Sequence, residues 1–133
     1  MFELHPKLFA DTIPLAEWPL CRVLMMNERT YPWLILVPRR ADISEIGELE
    51  AADRALLIEE IARLSGIVRA RLSPDRINVA ALGNVVSQLH VHVIARFKTD
   101  PAWPRPVWGA QPVVPYSDGE LDRQAGLWSA ALE

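Results

Sequence analysis

The chain has 133 residues, half of them hydrophobic and 23% charged, which suits one domain with a sizeable core and is too apolar for a disordered segment. A formal net charge of −3 argues against an extended basic surface for nucleic acid, and the single cysteine excludes an internal disulfide. No apolar run approaches the roughly 20 residues of a membrane span, so a soluble, cytoplasmic protein without nucleic-acid or membrane partners is expected.

Residues Met1 to Pro19 are interrupted by Pro6, Pro14 and Pro19 and read as a loose arm with at most short elements, the regular fold beginning after it. Cys21 to Met26 reads as a strand, Asn27 to Pro32 as a turn, and Trp33 to Val37 as a second strand closed by Pro38, which together predict a hairpin. From Ser44 the period changes. Ile46, Leu49, Leu56, Leu57, Ile61, Leu64, Ile67, Val68 and Leu72 fall at three- and four-residue spacings and predict an amphipathic helix. Gly47 is expected to split off a first turn, leaving the main helix from about Leu49 to Leu72, where Ser73-Pro74 ends it. Glu48, Glu50 and Asp53 at its start and Arg63, Arg69 and Arg71 toward its end suit the helix dipole.

Arg76 to Leu82 predicts a third strand, Gly83-Asn84 a turn, and Val85 to Phe97 a long fourth strand. Beyond Lys98, Pro101, Trp103, Pro104, Pro106, Trp108, Pro112 and Pro115 preclude regular structure, while the tryptophans call for a surface to cover. Ser117 with Glu120 is a capping-box pattern, and Leu121, Ala125, Leu127, Trp128 and Leu132 mark a terminal helix.

The chemistry gathers on Gln88-Leu89-His90-Val91-His92-Val93-Ile94, which holds two of the three histidines of the chain. On a strand, Gln88, His90 and His92 share one face at roughly 6 to 7 Å between alternate positions. Leu89, Val91 and Val93 face the other way. Neutral imidazole is a competent nucleophile near pH 7, and attack on phosphorus splits one displacement into two easier ones. A second imidazole alongside can bind phosphoryl oxygens. A strand-borne His-x-His pair is also a way of presenting two ligands to zinc; that reading needs a third ligand, and His5, Cys21 and the distant carboxylates stand at no recognisable ligand spacing. A further alternative is two histidines merely satisfied by hydrogen bonds.

The run Gly83 to Arg96, GNVVSQLHVHVIAR, resembles the signature of the histidine triad (HIT) family, His-φ-His-φ-His-φ-φ with φ apolar. The resemblance extends back through the preceding strand, the long helix and the strand ending in Pro38-Arg39-Arg40, covering roughly residues 20 to 97, and the segment 101–108 is similar to that of a bacterial subgroup. It implies an α+β fold: an antiparallel sheet of about five strands, one long helix on one face and a C-terminal helix. The expected organisation is a single domain over 1–133, with an arm at 1–19, a core at 20–97 and a Pro/Trp-rich segment plus helix at 98–133.

Carried over by position, the resemblance places the family's nucleophile on His90 and its phosphate-contacting histidine on His92. The first triad position falls on Gln88, whose backbone carbonyl would still orient the nucleophile. A fourth family histidine falls near Trp33, and a ribose-contacting position on Asn27, whose ordinary reading is turn chemistry. Asn84, at the mouth of the histidine strand, is expected to meet the phosphate, or simply to form a turn. Val85 stands where relatives carry Ser or Thr, and Ser87 is expected to face away from Gln88. Arg39, Arg40 and Arg96 are read as solvated strand ends in preference to phosphate ligands, and Trp103 and Trp108 as groove or interface plugs in preference to base-stacking platforms.

The implied function is a nucleotide hydrolase or nucleotidyl transferase, acting on a nucleoside-monophosphate phosphoramidate or phosphoanhydride through a covalent nucleotidyl-histidine. It requires no metal or other cofactor, takes a small-molecule nucleotide as partner and works as a homodimer. The alternatives are a nucleotide-binding module with weak or no catalysis and a zinc protein built on His90 and His92.

Overall fold

A computed structural model describes residues 1–133. In chain order the elements are α1 (Pro6–Asp11), β1 (Thr12–Glu17), β2 (Cys21–Met26), β3 (Trp33–Pro38), a single 3-10 turn (Ile46–Glu48), α2 (Ala51–Leu72), β4 (Arg76–Ala80), β5 (Val91–Arg96) and α3 (Asp118–Ala131). The strands form one five-stranded antiparallel sheet in the order β1-β2-β3-β5-β4, as expected for the α+β class.

Alternation along the strands sorts the core into two layers. On one face, Val23, Met25, Leu34, Leu36, Val91, Val93 and Ala95 pack with Leu57, Leu64 and Val68 of α2 and Trp128 of α3. On the other, Leu24, Trp33, Ile35, Val37 and Ile94 are covered by Leu8 of α1, Val86, Ala102 and Val107. Side chains two apart on a strand share a face, so His92 and Arg96 lie with the second layer, opposite the long helix.

The α2 helix ends as its sequence requires. Ser73 takes a left-handed φ of 47° and donates its N–H to the Arg69 carbonyl, and Pro74 stops the next turn. Glu60, charged yet 3% exposed, lies on the buried face of α2, where its carboxylate accepts the Leu20 and Cys21 N–H groups at 2.9 Å each. These bonds replace the water that a buried carboxylate would otherwise need. Burial and the adjoining Glu60 together push the Cys21 thiol far above its ordinary pKa.

Several sequence expectations change, beginning with β4, which ends at Ala80 and not at Leu82. Residues Thr12 to Glu17 are not part of a loose arm but the edge strand β1, paired with β2; Pro14 is accommodated because it sits at an edge and beside a register shift between Pro14 and Ala16. The histidine strand is shorter than expected: β5 starts at Val91, and over residues 85–90 the chain leaves the sheet, with the Leu89 N–H donated to the Ile43 carbonyl. The expected capping box is not formed: Ser117, the N-cap of α3, makes no side-chain cap bond, and the Glu120 carboxylate accepts from Arg123 (3.0 Å) and Gln124 (2.9 Å) instead.

The Pro/Trp segment is fixed by a buried ionic clip. Arg96, 2% exposed, makes two bonds to Asp100 (2.8 and 3.1 Å) and one each to Asn78 Oδ1 (2.8 Å) and the Arg105 carbonyl (2.7 Å), so it is neither a solvated strand end nor a phosphate ligand. Its guanidinium also lies 5.8 Å from the ring centroids of both Tyr31 and Trp103. Asp100 further accepts the N–H groups of Phe97, Ala102 and Trp103. Farther along, Val114 is strapped to the β2–β3 turn: its carbonyl accepts the Arg29 N–H at 2.8 Å and its N–H meets the Glu28 carboxylate at 3.2 Å.

Candidate active site

The residue just before β5, His90, and the second residue of β5, His92, bring their rings to a centroid distance of 4.8 Å at 73°. Both are nearly sealed, at 7% and 4% exposure. Their hydrogen bonds assign opposite tautomers. His90 Nδ1 lies 2.7 Å from the Gln88 carbonyl, which can only accept; Nδ1 therefore carries the proton and Nε2 keeps a free lone pair. His92 Nδ1 lies 3.0 Å from Trp33 Nε1, which can only donate; Nδ1 is therefore the acceptor and Nε2 carries the proton. Burial, reinforced by the neighbouring His90, pushes the His92 pKa down to about 3 and keeps this ring neutral.

Sheet geometry explains the Trp33 contact. The register pairs His92 with Ile35 of β3, and Trp33 lies two residues from Ile35 on the same face, a diagonal that long aromatic side chains can span. Trp108, from the Pro/Trp segment, packs edge-on against both partners, with centroids 5.0 Å from His92 and 5.6 Å from Trp33. It plugs the groove over the pair.

Gln88 divides its duties. Its backbone carbonyl faces His90, while its side chain turns away to the N-terminal segment, accepting the His5 N–H at 2.8 Å and donating to the Glu3 carbonyl at 2.8 Å. It thereby ties down the chain immediately before α1.

That helix walls the cleft. A cavity of about 220 Å³ opens beside His90 and His92, lined by Lys7, Leu8 and Asp11 of α1, by Met26 and Trp108, and by the loop carrying Leu82, Asn84 and Val86. Gly83 in that loop has a φ of 85°, a left-handed value that favours glycine, and it leaves Asn84 exposed at the cleft mouth. Lys7 and Asp11 pair across one helical turn at 2.7 Å and are the charged side chains of this wall.

Of the sequence-derived site residues, His90, His92 and Asn84 meet at this cleft, and Gln88 adjoins it behind His90. Asn27 does not line it: its side-chain oxygen accepts the Tyr116 N–H at 2.9 Å, so the Asn27 side chain is structural here. Arg39 binds the Trp18 and Pro19 carbonyls and Glu17, and Arg40 pairs with Asp53 at 2.7 Å; neither lines the cleft. His5 caps α1 through its own ring nitrogen and Cys21 is sealed in the core, so neither stands with the histidine pair as a third metal ligand.

Sequence reasoning missed Lys7, Leu8 and Asp11. The available signal was a proline at the first helical position after His5, followed by a Lys–Asp pair four residues apart.

Comparison with known proteins identifies the family and the fold. A family model for the HIT domain matches residues 10–99. A histidine triad protein from Marinobacter aquaeolei is 49% identical, with 100% of this chain and 94% of that one covered and a TM-score of 0.91. One from Bradyrhizobium japonicum is 44% identical, covering 98% and 95% at 0.90, and one from Sinorhizobium meliloti is 42% identical, covering 98% and 94% at 0.91. No curated relative matches the chain. No helix is long and apolar enough to cross a membrane. With two thirds of its length under the family model and close structural relatives along the whole chain, the protein belongs to the histidine triad family.

Proposed function

We propose that the chain is a nucleotide hydrolase or nucleotidyl transferase that cleaves a phosphoramidate or phosphoanhydride of a nucleoside monophosphate through a covalent nucleotidyl-histidine. The observation that carries this reading is the pair of opposite tautomers at one cleft: a lone pair on His90 Nε2 beside a donor on His92 Nε2.

In the first step the Nε2 lone pair of His90 attacks the α-phosphorus. An N–P bond forms, the bond from phosphorus to the leaving nitrogen or oxygen breaks, and the leaving group takes a proton from water. The imidazolium so produced keeps its Nδ1–H on the Gln88 carbonyl, whose negative end faces the new charge. The neutral His92 donates from Nε2 to a phosphoryl oxygen without adding a competing positive charge beside His90, and Asn84 supports the phosphate from the cleft mouth. Water then attacks phosphorus and gives up a proton to the hydroxide left by the first step; the N–P bond breaks, and its electron pair returns to His90 Nε2.

The nucleoside is assigned to the apolar part of the cleft between Leu8, Met26 and Val86, with the Lys7–Asp11 pair at its edge. A nucleotide-binding module without catalysis is the second reading, favoured by Gln88 standing where the family motif has its first imidazole. The functional unit is proposed to be a homodimer, which light scattering on the purified protein tests.

One experiment separates the readings. Protein quenched after mixing with an adenosine phosphoramidate should carry a nucleotidyl mass on His90, and His90→Ala should lose the adduct and at least about a thousandfold in kcat. Binding of the nucleotide with neither adduct nor turnover would favour the module.

A further inference from the structure

A neutral imidazole can present either nitrogen as its donor, and a buried ring has no water to let it change its mind cheaply. The surroundings of His92 remove the choice. Trp33 is 8% exposed, sits on the sheet diagonal from His92, and places an indole N–H 3.0 Å from Nδ1. Indole has no acceptor, so a proton on His92 Nδ1 would face another N–H at that distance. Trp33 is itself confined by edge contacts from Tyr31, at 6.5 Å between centroids, and from Trp108, at 5.6 Å.

We propose that Trp33 is a positioning residue: its indole N–H fixes His92 as the Nε2–H tautomer and so makes that ring a hydrogen-bond donor toward the phosphoryl group. Trp33 touches no substrate in this scheme. It acts through His92, much as a buried acceptor fixes the tautomer of a catalytic histidine elsewhere, with the polarity reversed. The chain does this with a tryptophan on a neighbouring strand.

The tautomer does not depend on the hydrolase reading; only its effect on turnover rests on that reading. The first measurement is therefore made without substrate. In the uniformly 15N-labelled wild-type protein, long-range 1H–15N correlation should show His92 with an unprotonated Nδ1 and a protonated Nε2. Trp33→Phe keeps an aromatic ring but removes the donor. In that variant His92 should lose its single-tautomer signature, and kcat for an adenosine phosphoramidate should fall about 10- to 100-fold, the usual cost of losing a residue that orients a ligand or base, with KM changed little.

A wild-type spectrum with the proton on Nδ1 overturns the proposal, and needs no variant to fold. So does a folded Trp33→Phe protein that retains both the Nε2–H tautomer and the full kcat. If the tautomer is as stated and is lost in Trp33→Phe but no nucleotide is turned over, the hydrolase reading fails while the assignment of Trp33 to His92 is supported.

Discussion

Arg96→Met is the most demanding test of how the site is held. The substitution keeps the length of the side chain and removes the cation from a position with 2% exposure. It leaves the Asp100 carboxylate, whose side chain is 7% exposed, with three backbone N–H donors but no counter-charge, and it leaves Asn78 Oδ1 and the Arg105 carbonyl without their donors. Breaking a buried pair from one side costs about 3 to 5 kcal/mol, and the orphaned acceptors fall within that figure because they are part of the same desolvation. The loss should therefore be about 3 to 5 kcal/mol, a large share of the roughly 5 to 15 kcal/mol typical of a domain. Urea unfolding followed by far-UV circular dichroism reads it as a lower midpoint at unchanged slope. Near-UV circular dichroism should change as well, since Arg96 holds the Arg105 carbonyl and sits against Trp103, on the segment that carries Trp108. A stability loss under about 1 kcal/mol at constant slope would refute the view that this clip anchors the segment.

Gln88→Ala keeps the carbonyl that meets His90 but releases the Glu3–His5 segment ahead of α1, so KM for a nucleotide substrate should rise several-fold while kcat stays within about twofold; a collapse of kcat would place the side chain in the chemistry. His92, held at about 3, stays neutral in the folded chain while an unfolded histidine takes up a proton near 6.5. The unfolded state thus binds more protons between those values, and stability should fall as pH drops through that window. The His92 ring resonances should meanwhile show no titration from pH 7 to about 4, and a midpoint above 5 would contradict the burial argument. Cys21, with no exposed surface and its thiol pushed up by burial and Glu60, should react with a disulfide reagent only after unfolding; modification of the native protein within minutes would count against that environment.

The elements that were legible in the sequence are those whose signal is local. The strands β2 and β3 announce themselves as short, almost wholly apolar runs bounded by turn residues and proline, and α2 by its spacing and its Ser73-Pro74 stop. The elements misread are those decided by partners distant in sequence. Val85 and Val86 have strand chemistry, yet the register leaves them without a ladder: β3 pairs with β5 only from Leu36–Val91, and β4 from Ala80–His92. Pro14 argued against a strand at 12–17, yet an edge with an irregular register admits it. The site divides in the same way. The histidine pair and the Gln88 carbonyl follow from one short motif, whereas the diagonal Trp33, the burial of Arg96 and the wall supplied by α1 depend on the assembled sheet.

Hydrogen bonds between parts of the chain distant in sequence also set an order of assembly. Gln88 meets His5 across 83 residues, and Glu28 and Asn27 meet Val114 and Tyr116 across 86 and 89. Contacts of such span are made only after long loops have closed, and on the ribosome those to Val114 and Tyr116 form only after the segment beyond β5 has emerged. The sheet and α2 lie wholly within residues 12–96, whereas Trp108, which packs on His92, comes from the segment that follows them. The ring of His92 therefore gains its Trp108 cover late, only once the segment beyond the sheet has been made and docked.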